Sequence, residues 1–140
     1  MQFLKLSFLL LFVLSIAACG GEDDDAAPSC TVADFVGTYT ATSTCDDDDP
    51  GDDPADATIT LTEFGDGLDL EIVETIDNGT ITTTIDQPLT VTNCEANIRV
   101  TQDDIVGSYR IQLDGNRITV TETFQNADGN DVCTYVGTRN

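Results

Sequence analysis

Threonine at alternate positions is the feature that most constrains what this chain can fold into. The sequence contains 21 Thr among 140 residues, and in several segments every second residue is Thr while the residues between are mostly apolar. Successive side chains of a β-strand point to opposite faces, so such a segment has one apolar face and one hydroxyl-bearing face. The clearest segments are 36–45, 57–62, 80–85 and 117–121. The pattern predicts antiparallel strands with one buried and one solvated face.

Turn signals separate these segments. Four dipeptides are typical of tight hairpins: Asp66-Gly67, Asn78-Gly79, Asp114-Gly115 and Asp128-Gly129. Weaker breaks lie at 86–88, 93–96 and 103–104. The predicted strands are 36–45, 57–64, 68–76, 80–86, 88–93, 97–102, 105–113, 116–125 and 131–138. We therefore predict an all-β antiparallel meander of about eight or nine strands, closed into a small barrel, with a β-sandwich as the alternative.

The charge of the chain excludes several classes of function. The sequence has 26 Asp and Glu against five Lys and Arg, a net charge of −21, and no His. So few cations cannot neutralise phosphates, and nucleic acid is not expected as a partner. The absence of His excludes Ser-His and Cys-His catalysis. No nucleophile can be paired with a base, so we expect a protein that is not an enzyme. A hydrolase that uses two carboxylates is the remaining enzymatic alternative.

The first residues form a predicted export signal. An apolar run of 13 residues, Leu6 to Ala18, is too short to span a membrane but has the length of a secretory signal. It ends Ile16-Ala17-Ala18-Cys19, which resembles the signal of bacterial lipoproteins, in which the Cys is acylated and becomes residue one. The alternative is ordinary secretion with cleavage near Ala18. The predicted organisation is a signal peptide (1–18), a lipidated acidic tether (19–34) and an antiparallel β domain (35–140).

The residues after Cys19 indicate where in the cell envelope the protein would be located. Gly20 to Asp25 resembles the acidic export signal of surface-exposed lipoproteins of Bacteroidota. The resemblance implies an outer-membrane lipoprotein on the cell surface, held in the cell envelope by acyl chains on Cys19. A second interpretation is a solvated acidic tether without an export role.

Four further cysteines predict two disulfides in an exported domain, with three possible connectivities. If the first and last strands pair to close a barrel, the end of the first strand meets the start of the last. Cys45 and Cys133 occupy these two places. We therefore predict the pairs Cys45–Cys133 and Cys30–Cys94.

The two ends of the domain carry a second resemblance. Phe35-Val36-Gly37-Thr38-Tyr39 leads to Cys45, and Asp131 to Tyr135 closes the domain around Cys133. This arrangement resembles small lipoproteins of Bacteroidota, and its opening is similar to the Gly-x-aromatic start of lipocalin-like barrels. The resemblance implies a small antiparallel barrel that serves as a binding or structural module. A small apolar ligand or an envelope protein would be its partner.

Two acidic features are candidate sites. The segment 46–56 holds seven carboxylates that could bind Ca²⁺ through oxygen ligands: Asp46, Asp47, Asp48, Asp49, Asp52, Asp53 and Asp56. Their order does not match an EF-hand, and a solvated acidic loop is the simpler interpretation. Glu122 shares the alternation of Val120 and Phe124, so it lines a cavity, lies at the barrel mouth, or is displaced by a β-bulge. We expect the bulge or the mouth position.

These patterns together predict a non-enzymatic, lipid-anchored envelope protein with a lipocalin-like binding or structural barrel. The alternative is a Ca²⁺-dependent adhesion or polysaccharide-binding module at the cell surface.

Overall fold

The computed structural model describes residues 29–46, 54–76, 79–102, 105–125, 127 and 129–140. These residues form one short helix, α1, and the eight strands β1 to β8. The helix α1 spans Val32–Phe35. The strands are β1 (Gly37–Cys45), β2 (Ala55–Phe64), β3 (Gly67–Ile76), β4 (Gly79–Thr92), β5 (Glu95–Gln102), β6 (Ile105–Asp114), β7 (Arg117–Gln125) and β8 (Asn130–Arg139). Across these ranges, no helix has the length and apolar character needed to cross a membrane.

The eight strands close into one antiparallel barrel. Each strand pairs with the next along the chain, and β1 pairs with β8 from Tyr39↔Arg139 to Cys45↔Cys133. The predicted meander and its closure are confirmed, and the alternative of two packed sheets is excluded by the single closed ladder. Closure pairs β1 and β8, the two strands that would otherwise form exposed edges.

The predicted break at residues 86–88 is wrong, because β4 is one strand of 14 residues. Its partners in β3 shift there: Leu68 faces Leu89 while Leu70 faces Ile85. The additional residues on β4 form a bulge, whose three residues are exposed. Pro88 fits this position because a bulge does not need the N–H that proline lacks. Segments predicted as two strands, 80–86 and 88–93, are therefore parts of one.

Two predicted turns mark the correct hairpins but are displaced by one residue. The turns lie at Gly65-Asp66 and Gly115-Asn116, between the paired residues Phe64↔Gly67 and Asp114↔Arg117. Gly65 and Gly115 both have φ of +60°, a conformation that glycine adopts without steric cost. The other two predicted turns each include a residue outside the described ranges, Asn78 and Asp128.

Helix α1 covers one end of the barrel, here called the α1 end, where β1 begins and β8 ends. Its last residue, Phe35, is fully buried, and the helix packs against β2 and β3. The Tyr39 hydroxyl donates a hydrogen bond of 2.7 Å to the Phe35 carbonyl oxygen. Arg139 donates to the Asp34 carbonyl oxygen and to the Tyr39 hydroxyl. These bonds satisfy carbonyl groups that a helix leaves unpaired at its carboxyl end.

The start of α1 is fixed by its own side chains and by a disulfide. The Asp34 carboxylate accepts hydrogen bonds from the backbone N–H and the hydroxyl of Thr31, which lower the pKa of Asp34. Cys30 is bonded to Cys94, in the turn between β4 and β5. Residues 30–34, which the sequence places at the end of the tether, are therefore attached to the α1 end.

The interior contains one core of inward-facing side chains. Fully buried residues come from most of the strands, with Tyr39 and Phe35 the largest. Small residues face the interior on three neighbouring strands, because Ala41 of β1 pairs with Ala57 of β2 and with Gly137 of β8. A Cβ atom at residue 137 would lie 2.9 Å from the Cβ of Ala41, so this close approach requires glycine.

Candidate functional site

The end of the barrel opposite α1 is called the distal end. The odd-numbered strands end there, and the even-numbered strands begin there. Glu122 lies near this end of β7 and is only 3% exposed. It pairs with Tyr109 of β6 and with Cys133 of β8, and neither register is interrupted along β7. The predicted bulge is therefore wrong. Unbroken alternation turns the Glu122 side chain into the interior.

Glu122 accepts hydrogen bonds from two tyrosines inside the barrel. The Tyr109 hydroxyl donates over 2.5 Å and the Tyr135 hydroxyl over 3.1 Å, each to one carboxylate oxygen. Close by, the Ser43 hydroxyl donates to the carboxylate of Glu74. We call Ser43, Glu74, Tyr109, Glu122 and Tyr135 the polar cluster.

Burial and nearby carboxylate charge raise the pKa of both tyrosines. Burial is the main cause of the raised pKa of Tyr109, and the hydrogen bond to Glu122 and its charge add to it. Burial also raises the pKa of Tyr135, followed by the charges of Glu122 and Glu74. Both hydroxyls are therefore held protonated as donors, and the Tyr135 hydroxyl lies within electrostatic reach of both carboxylates.

No arginine in the described ranges neutralises the polar cluster. Arg99 and Arg117 are exposed on the outer face, and Arg110 pairs with Glu95 there at 2.6 Å. Arg139 lies at the α1 end. Within the described ranges, the partners of these two carboxylates are hydroxyl groups and not cationic side chains.

Four large apolar side chains surround the distal end, and we call them the distal rim: Ile76, Ile81, Ile105 and Phe124. Each continues the inward-facing alternation of its own strand, Ile81 level with Glu74 and the other three beyond the polar cluster. Inward-facing side chains deeper in the barrel are mostly buried, whereas these four side chains are 37–51% exposed. The strands extend past the packed interior, and their inward faces there meet solvent.

Phe124 connects the distal rim to the polar cluster. Its ring contacts the Tyr109 ring edge to face, with centroids 6.3 Å apart. Gly107 lies beside the same ring, and a Cβ atom there would be 3.5 Å from it. One member of the distal rim is therefore in contact with the polar cluster.

Both predicted disulfides are present in the structure. Cys45–Cys133 joins directly opposite residues of β1 and β8 at the distal end, and Cys133 is also the neighbour of Glu122. Cys30–Cys94 lies at the α1 end. The two bonds thus secure opposite ends of the barrel.

The Asp-rich segment stays a prediction. Asp46 and Asp56 are exposed at the distal ends of β1 and β2, whereas Asp47, Asp48, Asp49, Asp52 and Asp53 lie outside the described residues. Within the described ranges, no group of three or more potential metal ligands comes together. The predicted signal peptide and Cys19 also lie outside the described residues.

The comparisons with known proteins found little similarity. No family model matches the chain, and no curated protein matches it. A solved structure of the zebrafish ileal bile acid-binding protein with cholic acid matches 76% of this chain and 98% of that chain, at 13% identity and a TM-score of 0.38. Because this similarity is low, the assignment of a closed eight-stranded barrel rests on the strand pairing of this chain alone.

Proposed function

We propose that this chain is a lipid-anchored protein of the cell envelope whose barrel binds a small ligand with an apolar part at the distal end. The observation that carries the proposal is the exposed distal rim around a buried polar cluster. Small-molecule sites are mostly apolar with a few placed polar groups, and the mouth of a β-barrel is a frequent location.

The distal rim supports binding on energetic grounds. Ile76, Ile81 and Ile105 are each at least 40% exposed although they face inward. A ligand that covers apolar surface gains roughly 25 cal/mol per Å². The same ligand would leave the outer faces, which are rich in threonine, in contact with water.

The position of α1 supports an orientation for the anchored protein. The chain enters the barrel through Cys30, whose disulfide to Cys94 fixes the entry point at the α1 end. An acylated Cys19 would therefore attach this end to the membrane, and the distal end would face away from it. Two or more acyl chains on one cysteine give a stable anchor.

Binding at the distal end is tested with an uncharged fluorescent probe, N-phenyl-1-naphthylamine, and a pair of phenylalanines at opposite ends. Phe124→Ser should raise the Kd of the probe about tenfold, because it removes an aromatic contact in the distal rim. Phe64→Ser is the matched control, since Phe64 is also exposed but lies at the α1 end. Equal effects of the two substitutions, with both variants folded by circular dichroism, would contradict binding at the distal end.

Anchoring is tested by Cys19→Ser in the full chain expressed in a bacterium that processes lipoproteins. We expect the native protein in the membrane fraction with an intact mass that includes acyl chains, and the variant without them and released from the membrane. A native protein that lacks acyl mass, or a variant that partitions as the native protein does, would overturn the anchor.

A further inference from the structure

We propose that the distal site selects an amphiphile with a positively charged ammonium group, whose apolar part lies against the distal rim and whose charge meets Glu122 and Glu74. The inference rests on the proposed function, because it names the ligand class of the same site.

The first step is that Glu122 has no cationic partner among the described residues. Its side chain is buried apart from 3% of its surface, and the donors to its carboxylate are hydroxyl groups. A carboxylate has about four lone-pair positions, and the hydroxyls of Tyr109 and Tyr135 use two of them. Neutral donors satisfy hydrogen bonds but leave the charge, and a buried charge without an opposite charge is costly. A ligand cation would supply that opposite charge.

The second step is the position of Glu74. Its carboxylate accepts a hydrogen bond from Ser43, which pairs with Tyr135 across β1 and β8, so Glu74 lies on the Tyr135 side of the polar cluster. Glu74 is more exposed than Glu122 and is therefore the more accessible of these two carboxylates. Low-dielectric walls focus the field of such groups and raise the local concentration of cations.

The third step is the aromatic surface beside the carboxylates. The rings of Tyr109 and Phe124 contact each other next to Glu122, and Tyr135 lies on the other side of its carboxylate. A cation near an aromatic face is attracted by the ring quadrupole, and more strongly when water is excluded. An ammonium group is thus favoured both by the glutamate carboxylates and by the aromatic rings, whereas a carboxylate ligand would be repelled by the two glutamates.

The test compares three probes that share one alkyl chain: octylammonium, octanol and octanoate. Their binding to residues 20–140 is measured by isothermal titration calorimetry; this segment contains the closed barrel with both disulfides and its complete core. We expect octylammonium to bind at least about tenfold more tightly than octanol, and octanoate to bind most weakly. Because the cluster is buried, the preference should persist when salt screens the surface charges.

Two substitutions separate the site from the general acidity of the chain. Glu122→Gln keeps the shape of the side chain, and it should bring octylammonium to within about twofold of octanol while octanol binding stays unchanged. Glu71→Gln removes the same charge from the exposed outer face of β3 and should leave all three affinities unchanged. Glu74→Gln, measured in parallel, should weaken octylammonium selectively and keeps the test decisive if Glu122→Gln fails to fold.

The outcomes distinguish the two proposals. Equal binding of octylammonium and octanol would overturn the ammonium inference and leave the proposed function intact. An ammonium preference that Glu71→Gln reduces as much as Glu122→Gln would also overturn it, since the preference would then come from net charge. No binding of any probe, together with no binding of N-phenyl-1-naphthylamine, would overturn the proposed function itself.

Discussion

Phe35→Ala should lower the free energy of unfolding by about 3–5 kcal/mol, the usual cost of truncating a fully buried aromatic side chain. Phe35 has no exposed surface and is the residue through which α1 enters the core. Leu61 and Leu68, in the two strands that α1 contacts, are also fully buried at the same end of the barrel. Truncation would leave a cavity that these strand residues cannot fill by moving. Urea unfolding with both disulfides intact measures the effect.

The adjacent residue supplies the control. Val36 follows Phe35 directly but is 37% exposed, so Val36→Ala should cost less than about 1 kcal/mol. If Phe35→Ala were no more destabilising than Val36→Ala, α1 would not be part of the core and the closed α1 end would be wrong.

Removing the distal disulfide has the second large expected effect. The double substitution Cys45→Ala and Cys133→Ala should lower the free energy of unfolding by about 2–5 kcal/mol. The bond spans 88 residues and joins β1 to β8, the two strands whose pairing closes the barrel. Without it the unfolded chain gains freedom and the distal part of the β1–β8 seam loses its covalent link. Urea unfolding and amide hydrogen exchange of the two strands measure both consequences.

The other disulfide is the matched comparison. The double substitution Cys30→Ala and Cys94→Ala removes a disulfide at the α1 end whose two cysteines are 64 positions apart in the sequence. It should also destabilise the protein. At the distal part of the seam it should speed hydrogen exchange only as far as the lower global stability requires, whereas the Cys45→Ala and Cys133→Ala variant should speed it further there. Equal acceleration at the distal seam in two variants of equal global stability would contradict separate roles for the two bonds.

The strand arrangement could be predicted in most of its detail because the relevant signals are local. Alternating Thr and glycine-containing turns are both visible within a few residues. The disulfide pairs followed from one global assumption, that the first and last strands meet. The continuity of β4 could not be predicted locally, because residues 86–88 resemble a turn and only pairing with β3 shows them to be a bulge.

Helix α1 was missed because a single turn has no helical period. The signal that could have found it is Thr31 followed three residues later by Asp34, a pattern typical of a helix start. Phe35, the next residue, is apolar and could have been assigned to the core. In the structure, the hydrogen bonds between Thr31 and Asp34 stabilise the start of the helix, and Phe35 is its last residue.

The candidate site was predictable only in part. The alternation placed Glu122 on the inward face, but the unbroken register that turns it inward is set by β6 and β8. The contact between Ser43 and Glu74 joins residues 31 positions apart across β2. The exposure of the distal rim depends on where the packed interior ends relative to the strand ends. None of these relations is visible in a single strand.

The most direct test of the central claim, that the distal end binds the ligand, is a map of amide chemical shifts for residues 20–140 titrated with octylammonium. We predict that the largest changes lie in the distal halves of β3, β6, β7 and β8, around Glu74, Tyr109, Phe124 and Tyr135. Amides of α1 and of the turns at Gly65 and Gly115 should not change. Changes concentrated at the α1 end, or spread over the outer threonine faces, would contradict the account.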